Sequence, residues 1–279
     1  MFQTSAFADN SGLITVPDIS RVMDYPYENE EQIEPESGDL ISIESVAYPR
    51  NKKAKFCIRP AEMVDTIVIH HSETSSSSTA LEINDFHLNR GTASDPWYMI
   101  AYSFVINSPY EGSTIPLPKV SEGRPFDIVG GHAGSNIFVP MDDVQARLWS
   151  QKKILCGKEN QKPKYDSTLV KNKKIKANVT TIGVVVNGNY SPYVLESGAI
   201  NPGGYMQGEP RGPSDSTLDM IARLSCQLQK KYPRINRLAY HNQYHPTSCP
   251  GDFAANMEKI KIKAKEYGCE FNLLLKSYY

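Results

Sequence analysis

The chain has 279 residues, 40% of them hydrophobic and 22% charged, enough to bury the core of one large domain and ordinary for a globular protein. A net charge of −1 excludes the basic excess that marks strong nucleic-acid binding. No apolar run approaches the ~20 residues that cross a bilayer, which argues against a membrane span. The N-terminus shows neither a basic n-region nor a long apolar stretch, although Ser5-Ala6-Phe7-Ala8-Asp9 looks like the tail of a secretory signal.

Charge is unevenly distributed. Acidic residues crowd the stretch from Asp24 to Glu44, and lysines crowd the stretch from Lys152 to Lys176. The two runs read as solvated surfaces, or as partners for each other. Residues 1 to about 50 are rich in Ser, Glu, Pro, Asn and Asp and read as an extended arm, with Leu40-Ile41-Ser42-Ile43 as a short edge strand. The first core signal is Asp65-Thr66-Ile67-Val68-Ile69-His70-His71-Ser72, a β-branched run predicting a buried strand with histidines at its carboxyl end. That end is where open α/β sheets place their ligands.

Ser75 to Ser78 supply capping chemistry for a helix over Ala80 to Leu88, stopped by Gly91. Trp97 to Ile106 alternates and predicts another strand. Turn formers dominate from Asn107 to Pro125, and a glycine-flanked loop follows, Gly130-Gly131-His132-Ala133-Gly134-Ser135-Asn136. After a polar, lysine-rich block, Thr181 to Val186 predicts a second buried strand, and Ser216 to Tyr232 an amphipathic helix. Leu238-Ala239-Tyr240 is a short strand, and Phe253 to Tyr267 is a last helix with Gly268 as its stop. The alternation predicts an α/β fold: a central mixed, mostly parallel sheet flanked by helices.

Between them lies Ala239 to Asp252, with His241, His245 and Cys249 in a segment stiffened by Pro246 and Pro250. Imidazole and thiolate on a rigid loop suit zinc. A buried cysteine beside ordinary loop histidines is the plainer alternative. With Cys249 set aside as a ligand, Cys57, Cys156, Cys226 and Cys269 allow two disulfides in three connectivities, or remain free thiols.

In order along the chain, these segments resemble the type 2 zinc-dependent N-acetylmuramoyl-L-alanine amidases, a family that includes the peptidoglycan recognition proteins. The resemblance rests on Ile67-Val68-Ile69-His70-His71, Ile100-Ala101-Tyr102-Ser103-Phe104, Glu122-Gly123-Arg124-Pro125, Gly131 to Asn136, Ile182 to Tyr190, and His241 with Thr247 and Cys249. It spans about residues 60 to 265. It implies Zn2+ held by His70, His241 and Cys249, catalytic roles for Tyr102 and Thr247, and a substrate groove lined by Arg124, His132 and Asn136. His71 points away from His70 on the strand and is expected beside substrate or packed next to the site rather than as a ligand. His245 and His87 are expected to be ordinary histidines. Three protein donors leave a fourth tetrahedral position for water, as in catalytic rather than structural zinc sites. Val185 stands where a related branch carries a glutamate base, so a tyrosine-type mechanism is expected.

The implied division is an N-terminal extension, 1–55, and an amidase-like domain, 56–275, interrupted by an insertion at 137–180. Both the insertion and the extension depart from the family pattern. The implied reaction cuts the amide between N-acetylmuramic acid and L-alanine of peptidoglycan in a periplasmic or extracellular compartment. Rival readings are a peptidoglycan-binding protein that does not cut, and a hydrolase using Cys249 as nucleophile. Wall remodelling, phage lysis and a secreted antibacterial effector, with an inhibitor or immunity protein as partner, all fit such an enzyme.

Overall fold

The computed structural model describes residues 41–74, 78–93, 96–107, 118–190, 193–194, 200–201, 213–274 and 277–278. The acidic arm before residue 41, the serine turn at 75–77 and most of the loops after Asn107 and Tyr190 lie outside the described residues. The strands are β1 (Ile43–Glu44), β2 (Phe56–Ile58), β3 (Thr66–His71), β4 (Phe104–Asn107), β5 (Lys119–Glu122), β6 (Phe138–Pro140), β7 (Leu155–Gly157) and β8 (Lys164–Tyr165). They continue as β9 (Val170–Lys171), β10 (Lys174–Lys176), β11 (Thr181–Val186), β12 (Tyr193–Val194), β13 (Ile200–Asn201), β14 (Arg237–Tyr240) and β15 (Asn272–Leu273). The helices are α1 (Ala80–Arg90), α2 (Asp143–Ser150), the single turn α3 (Ala177–Thr180), α4 (Asp215–Lys231) and α5 (Phe253–Glu266).

Seven strands form the central sheet in the order β1-β5-β4-β11-β3-β14-β15. β4, β11, β3, β14 and β15 run parallel, while β1 and β5 run against them. The sheet is therefore mixed and mostly parallel, as the alternation of strands and helices predicts. β3 and β11 are buried at every position, which explains their continuous β-branched runs. On one face, Ile67, Ile69, Val184 and Val186 meet α4 and α5 through Leu218, Ile221, Phe253, Met257 and Ile260. At about 1.5–3 kcal/mol for each large apolar side chain buried, this layer is the main source of stability. Its helices end cleanly: Ser214 caps α4 by accepting from Thr217 N–H, and Gly268 closes α5 at φ 78°.

The opposite face carries two smaller clusters. Val68 and Ala239 pack against Val139, Ile154, Ile175 and Val179 of the insertion. Val105 and Val185 pack against Ile83, Met99, Ile100 and Tyr48. The insertion is thus a folded layer. Asp142 and Gln145 form a capping box for α2, and the Gln145 amide donates to Met63 O and to Asp65 Oδ2. A disulfide joins Cys57 to Cys156, its partner across β2 and β7, and a second joins Cys226 to Cys269.

Three expectations change. The strand foreseen over Trp97 to Ile106 is reduced to β4, because the carbonyls of Met99 and Ile100 accept from buried Arg124. The matching N–H groups of Ile100 and Ala101 donate to Asn84 Oδ1 and His87 Nδ1 rather than to a neighbouring strand. Within the turn-rich stretch, Lys119–Glu122 pairs antiparallel to β4. The N-cap of α1 is Thr79, in a capping box with Glu82.

Candidate active site

β3 delivers two buried histidines to opposite faces of the sheet. His71 faces the α4–α5 side, where its Nδ1 accepts from Tyr190 N–H at 2.9 Å. His70 shares the other face with Val68. The register pairs Tyr240 with Ile69, so the next residue, His241, arrives level with His70, their ring centroids 4.5 Å apart. Two residues beyond Thr247, Cys249 turns back under β3. Its Sγ accepts from His71 N–H at 3.4 Å and lies 3.7 Å from His70 Nδ1. One donor atom from each of His70, His241 and Cys249 falls within 4.8 Å of the others.

The electrostatics suit a cation. Burial, then the neighbouring His241 and His132, hold His70 well below the ordinary histidine range. Burial, then His245 and His71, bring His241 down to about 4. Both imidazoles are therefore neutral at neutral pH, the form that binds metal. Burial pushes the Cys249 thiol up to about 12, so without a cation it stays protonated and a poor nucleophile. Tetrahedral zinc, with Zn–N near 2.0–2.1 Å and Zn–S near 2.3 Å, sets such N and S atoms about 3.6 Å apart. The 3.7 Å between His70 Nδ1 and Cys249 Sγ matches, and the donor set fits zinc.

A cleft of about 220 Å³ is lined by His241 and Cys249, with His70 buried behind them. Tyr102, just before β4, lies on one wall with its ring centroid 5.0 Å from that of His70. Burial, followed by the charges of Cys249 and Glu73, pushes its phenol far above the ordinary range, so the hydroxyl keeps its proton. Thr247 lies at the rim, its Oγ1 accepting from Cys249 N–H at 3.2 Å. That bond leaves the Thr247 hydroxyl proton free to donate. α1 forms the remaining wall with Ile83, Phe86, His87 and Arg90. The Arg90 guanidinium lies over the rings of Phe86 and Trp97 at 5.5 and 6.0 Å.

Of the residues expected beside substrate, His71 lines the cleft; His245, expected to be an ordinary histidine, lines it as well. Arg124 does not: it is buried behind Tyr102, donating to the carbonyls of Met99, Ile100 and Val129 at 2.7–2.8 Å. His132 is buried beneath His70, its Nδ1 3.1 Å from His70 Nε2. Asn136 is exposed and stands outside the cleft. Sequence reasoning missed the α1 wall, although Phe86, His87 and Arg90 have helical spacing. It also missed Glu73, whose carboxylate lies 3.4 Å from both His71 Nε2 and Ser248 Oγ. Glu73 adopts φ 57°, a strained value for a residue with a side chain, at the mouth of the cleft. Only its place just after the histidine pair could have drawn notice.

Among solved structures, the chain is similar to the endolysin N-acetylmuramoyl-L-alanine amidase LysCS from Clostridium intestinale URNW, at 20% identity and a TM-score of 0.45 over 82% of this chain and 99% of that one. It is also similar to the N-acetylmuramoyl-L-alanine amidase LysC from Clostridium intestinale URNW, at 20% identity and a TM-score of 0.45, covering 81% of this chain and 99% of that one. The Ph2119 endolysin from the Thermus scotoductus MAT2119 bacteriophage Ph2119 aligns at 18% identity and a TM-score of 0.39, covering 72% of this chain and 84% of that one. No curated protein matches. The sequence pattern of one family, described as N-acetylmuramoyl-L-alanine amidase, matches residues 60–252, a segment that begins just before β3 and ends just past Cys249. The chain belongs to the N-acetylmuramoyl-L-alanine amidase family.

Proposed function

We propose that this protein is a zinc-dependent amidase that hydrolyses the bond between the lactyl group of N-acetylmuramic acid and L-alanine in peptidoglycan. The observation that carries the proposal is the convergence of His70, His241 and Cys249 donors, within 4.8 Å of one another, with His241 and Cys249 lining an open cleft and His70 buried just behind them. Family membership supports the substrate class. His70, His241 and Cys249 would hold a zinc ion, which would supply Lewis acidity toward the scissile carbonyl and lower the pKa of a nucleophilic water to about 7. The protein's own groups complete the chemistry. Tyr102, protonated and buried at the cleft wall, donates a hydrogen bond to the oxygen on which charge develops or orients the attacking water. Thr247 offers a second donor from the rim. Ile83 and Phe86 give the stem peptide an apolar wall. The proposed catalytic unit is residues 56–275, with the insertion at 137–180 packed on the same face of the sheet as His70.

The two disulfides support a periplasmic or extracellular setting. No helix among the described residues is long and apolar enough to cross a membrane. Digestion of purified muropeptides tests the reading, with elemental analysis of the same sample. Free stem peptide, one zinc per chain, loss of activity with chelator and recovery with zinc are expected. Chelator-resistant cleavage lost in Cys249→Ser would overturn the metal mechanism in favour of a cysteine nucleophile. Binding of muropeptides without cleavage by the zinc-loaded protein would overturn the enzyme.

A further inference from the structure

His132 takes no part in the cleft, yet it is buried against a proposed ligand in a setting built around it. Its side chain packs against β11 at Gly183, where an added Cβ would stand 2.8 Å from the ring Cγ. A Cβ at Gly130 would stand 2.9 Å from His132 Cδ2. Two glycines thus make room for one imidazole. The backbone beside it is clamped by Asn178 of α3, whose Oδ1 accepts from Ala133 N–H at 2.7 Å and whose Nδ2 donates to Gly134 O at 2.8 Å. Buried Arg59 holds α3 and the start of β11 through the carbonyls of Asn178, Val179 and Thr181.

The hydrogen bonds through this ring run in one direction only. The carbonyl of Ala177 has no proton to give, so the Thr181 hydroxyl donates to it at 2.9 Å. That commits the single Thr181 proton. The 3.2 Å contact between Thr181 Oγ1 and His132 Nε2 must then be filled by a proton on the imidazole. A neutral His132 protonated at Nε2 presents a bare Nδ1, which accepts from His70 Nε2–H at 3.1 Å. With its proton on Nε2, His70 turns a free Nδ1 lone pair toward Cys249 and the donor cluster. A backbone carbonyl at the end of the insertion therefore dictates the protonation of a site residue through two intermediate side chains.

We propose that His132 is a positioning residue that, anchored by Thr181 and the Ala177 carbonyl, fixes the tautomer and ring orientation of His70 for metal binding. The proposal rests on the metal reading of the site, and the experiment separates the two. His132→Leu keeps bulk but removes the acceptor. His132→Gln restores it, because an amide oxygen can accept from His70 while the amide nitrogen donates to Thr181. Thr181→Val leaves the ring in place and removes its anchor. Zinc affinity is read by competition with a chromophoric chelator. Nitrogen-correlated NMR of the metal-free protein reads the slowly exchanging ring protons of His70 and His132.

The expected result is a loss of roughly 10–100-fold in zinc affinity for His132→Leu, in line with the usual effect of removing a ligand's hydrogen-bond partner. His132→Gln should recover most of that loss, Thr181→Val should weaken binding several-fold, and the protected His70 ring proton should vanish in the leucine variant. A folded His132→Leu with wild-type zinc affinity would overturn the proposal. If the leucine variant does not fold, unchanged affinity in Thr181→Val overturns it instead. Should the wild-type protein bind no zinc, the metal reading fails, and the protected ring protons still decide whether His132 orders His70.

Discussion

Placing a methyl group on Gly183 loads the contact between β11 and His132 directly. The strand backbone there accepts alanine without strain, and an alanine elsewhere in a strand is worth about 0.5–1 kcal/mol over glycine. Against that gain, the new Cβ meets His132 Cγ at 2.8 Å and both its Cβ and Nδ1 at 3.1 Å. Comfortable carbon contacts begin near 3.5 Å, so the ring must retreat by about 0.7 Å. Such a retreat stretches the 3.1 Å bond from His70 to as much as about 3.8 Å, past hydrogen-bonding range. Overpacking of this kind costs about 1–3 kcal/mol, which after that gain leaves a net loss of about 0–2.5 kcal/mol, about 1 kcal/mol at mid-range. In a domain of this size each kcal/mol of net loss lowers Tm by about 2–4 °C. Zinc affinity should fall by about tenfold or more as the partner of His70 is displaced. Gly131→Ala is the control, because its Cβ meets only Ala101 Cβ, at 3.9 Å. Differential scanning calorimetry and chelator competition on both variants give the answer. Gly183→Ala with the melting temperature and zinc affinity of Gly131→Ala would refute the reasoning.

Other substitutions probe other links. Tyr102→Phe removes one hydrogen-bond donor from the cleft wall and should lower kcat for muropeptide cleavage by about 10²–10³-fold while leaving zinc content at one per chain. A smaller effect would remove Tyr102 from the chemistry. His87 is held down to about 4 by burial, then by Arg124 and Arg90, against an ordinary value near 6.5. The unfolded chain therefore takes up this proton first, so the stability contributed by neutral His87 is complete above pH 6.5 and is lost as pH falls toward 4. The full shift corresponds to at most ~3 kcal/mol. Denaturant unfolding of the metal-free protein at pH 7 and pH 4.5 should show this loss, and His87→Gln, which keeps an acceptor for Ala101 N–H, should flatten the difference. In the β9–β10 hairpin, Asn172 and Lys173 form the two-residue turn at φ 51° and 58°. Lys173→Gly relieves the second and should stabilise the protein by about 0.5–1 kcal/mol, seen as a small rise in Tm.

The sequence revealed most of this architecture wherever a local pattern was sufficient to specify it. The β-branched runs of β3 and β11 could only be buried strands, and α4 and α5 followed from their apolar spacing and end signals. His241 and Cys249 were readable as a pair because Pro246 and Pro250 stiffen the loop that carries them, and His70 because it lies near the carboxyl end of a central strand. What escaped depends on contacts between distant segments. A glycine-flanked histidine looks like a groove residue until the loop is seen to fold beneath the sheet. The clue was Gly183, the one residue without a side chain in a strand of β-branched residues. Arg124 carried the family pattern but spends its guanidinium on three carbonyls of a segment that its alternation marks as a strand. The insertion was opaque because its strands are two or three residues long, too short for periodicity, and are stitched together by pairing and by Cys57–Cys156.

The order of the donors along the polypeptide has a temporal consequence. His70 is made 171 residues before His241, and His241 and Cys249 lie on the far side of α4. β14 must leave the ribosome and align with β3 before a second imidazole comes level with the first. A nascent chain, or a fragment ending anywhere before residue 241, owns one donor in three and no floor to the cleft. On the proposed zinc reading, the capacity to load metal reports that β14 has aligned with β3 and that the loop carrying Cys249 has followed it into place.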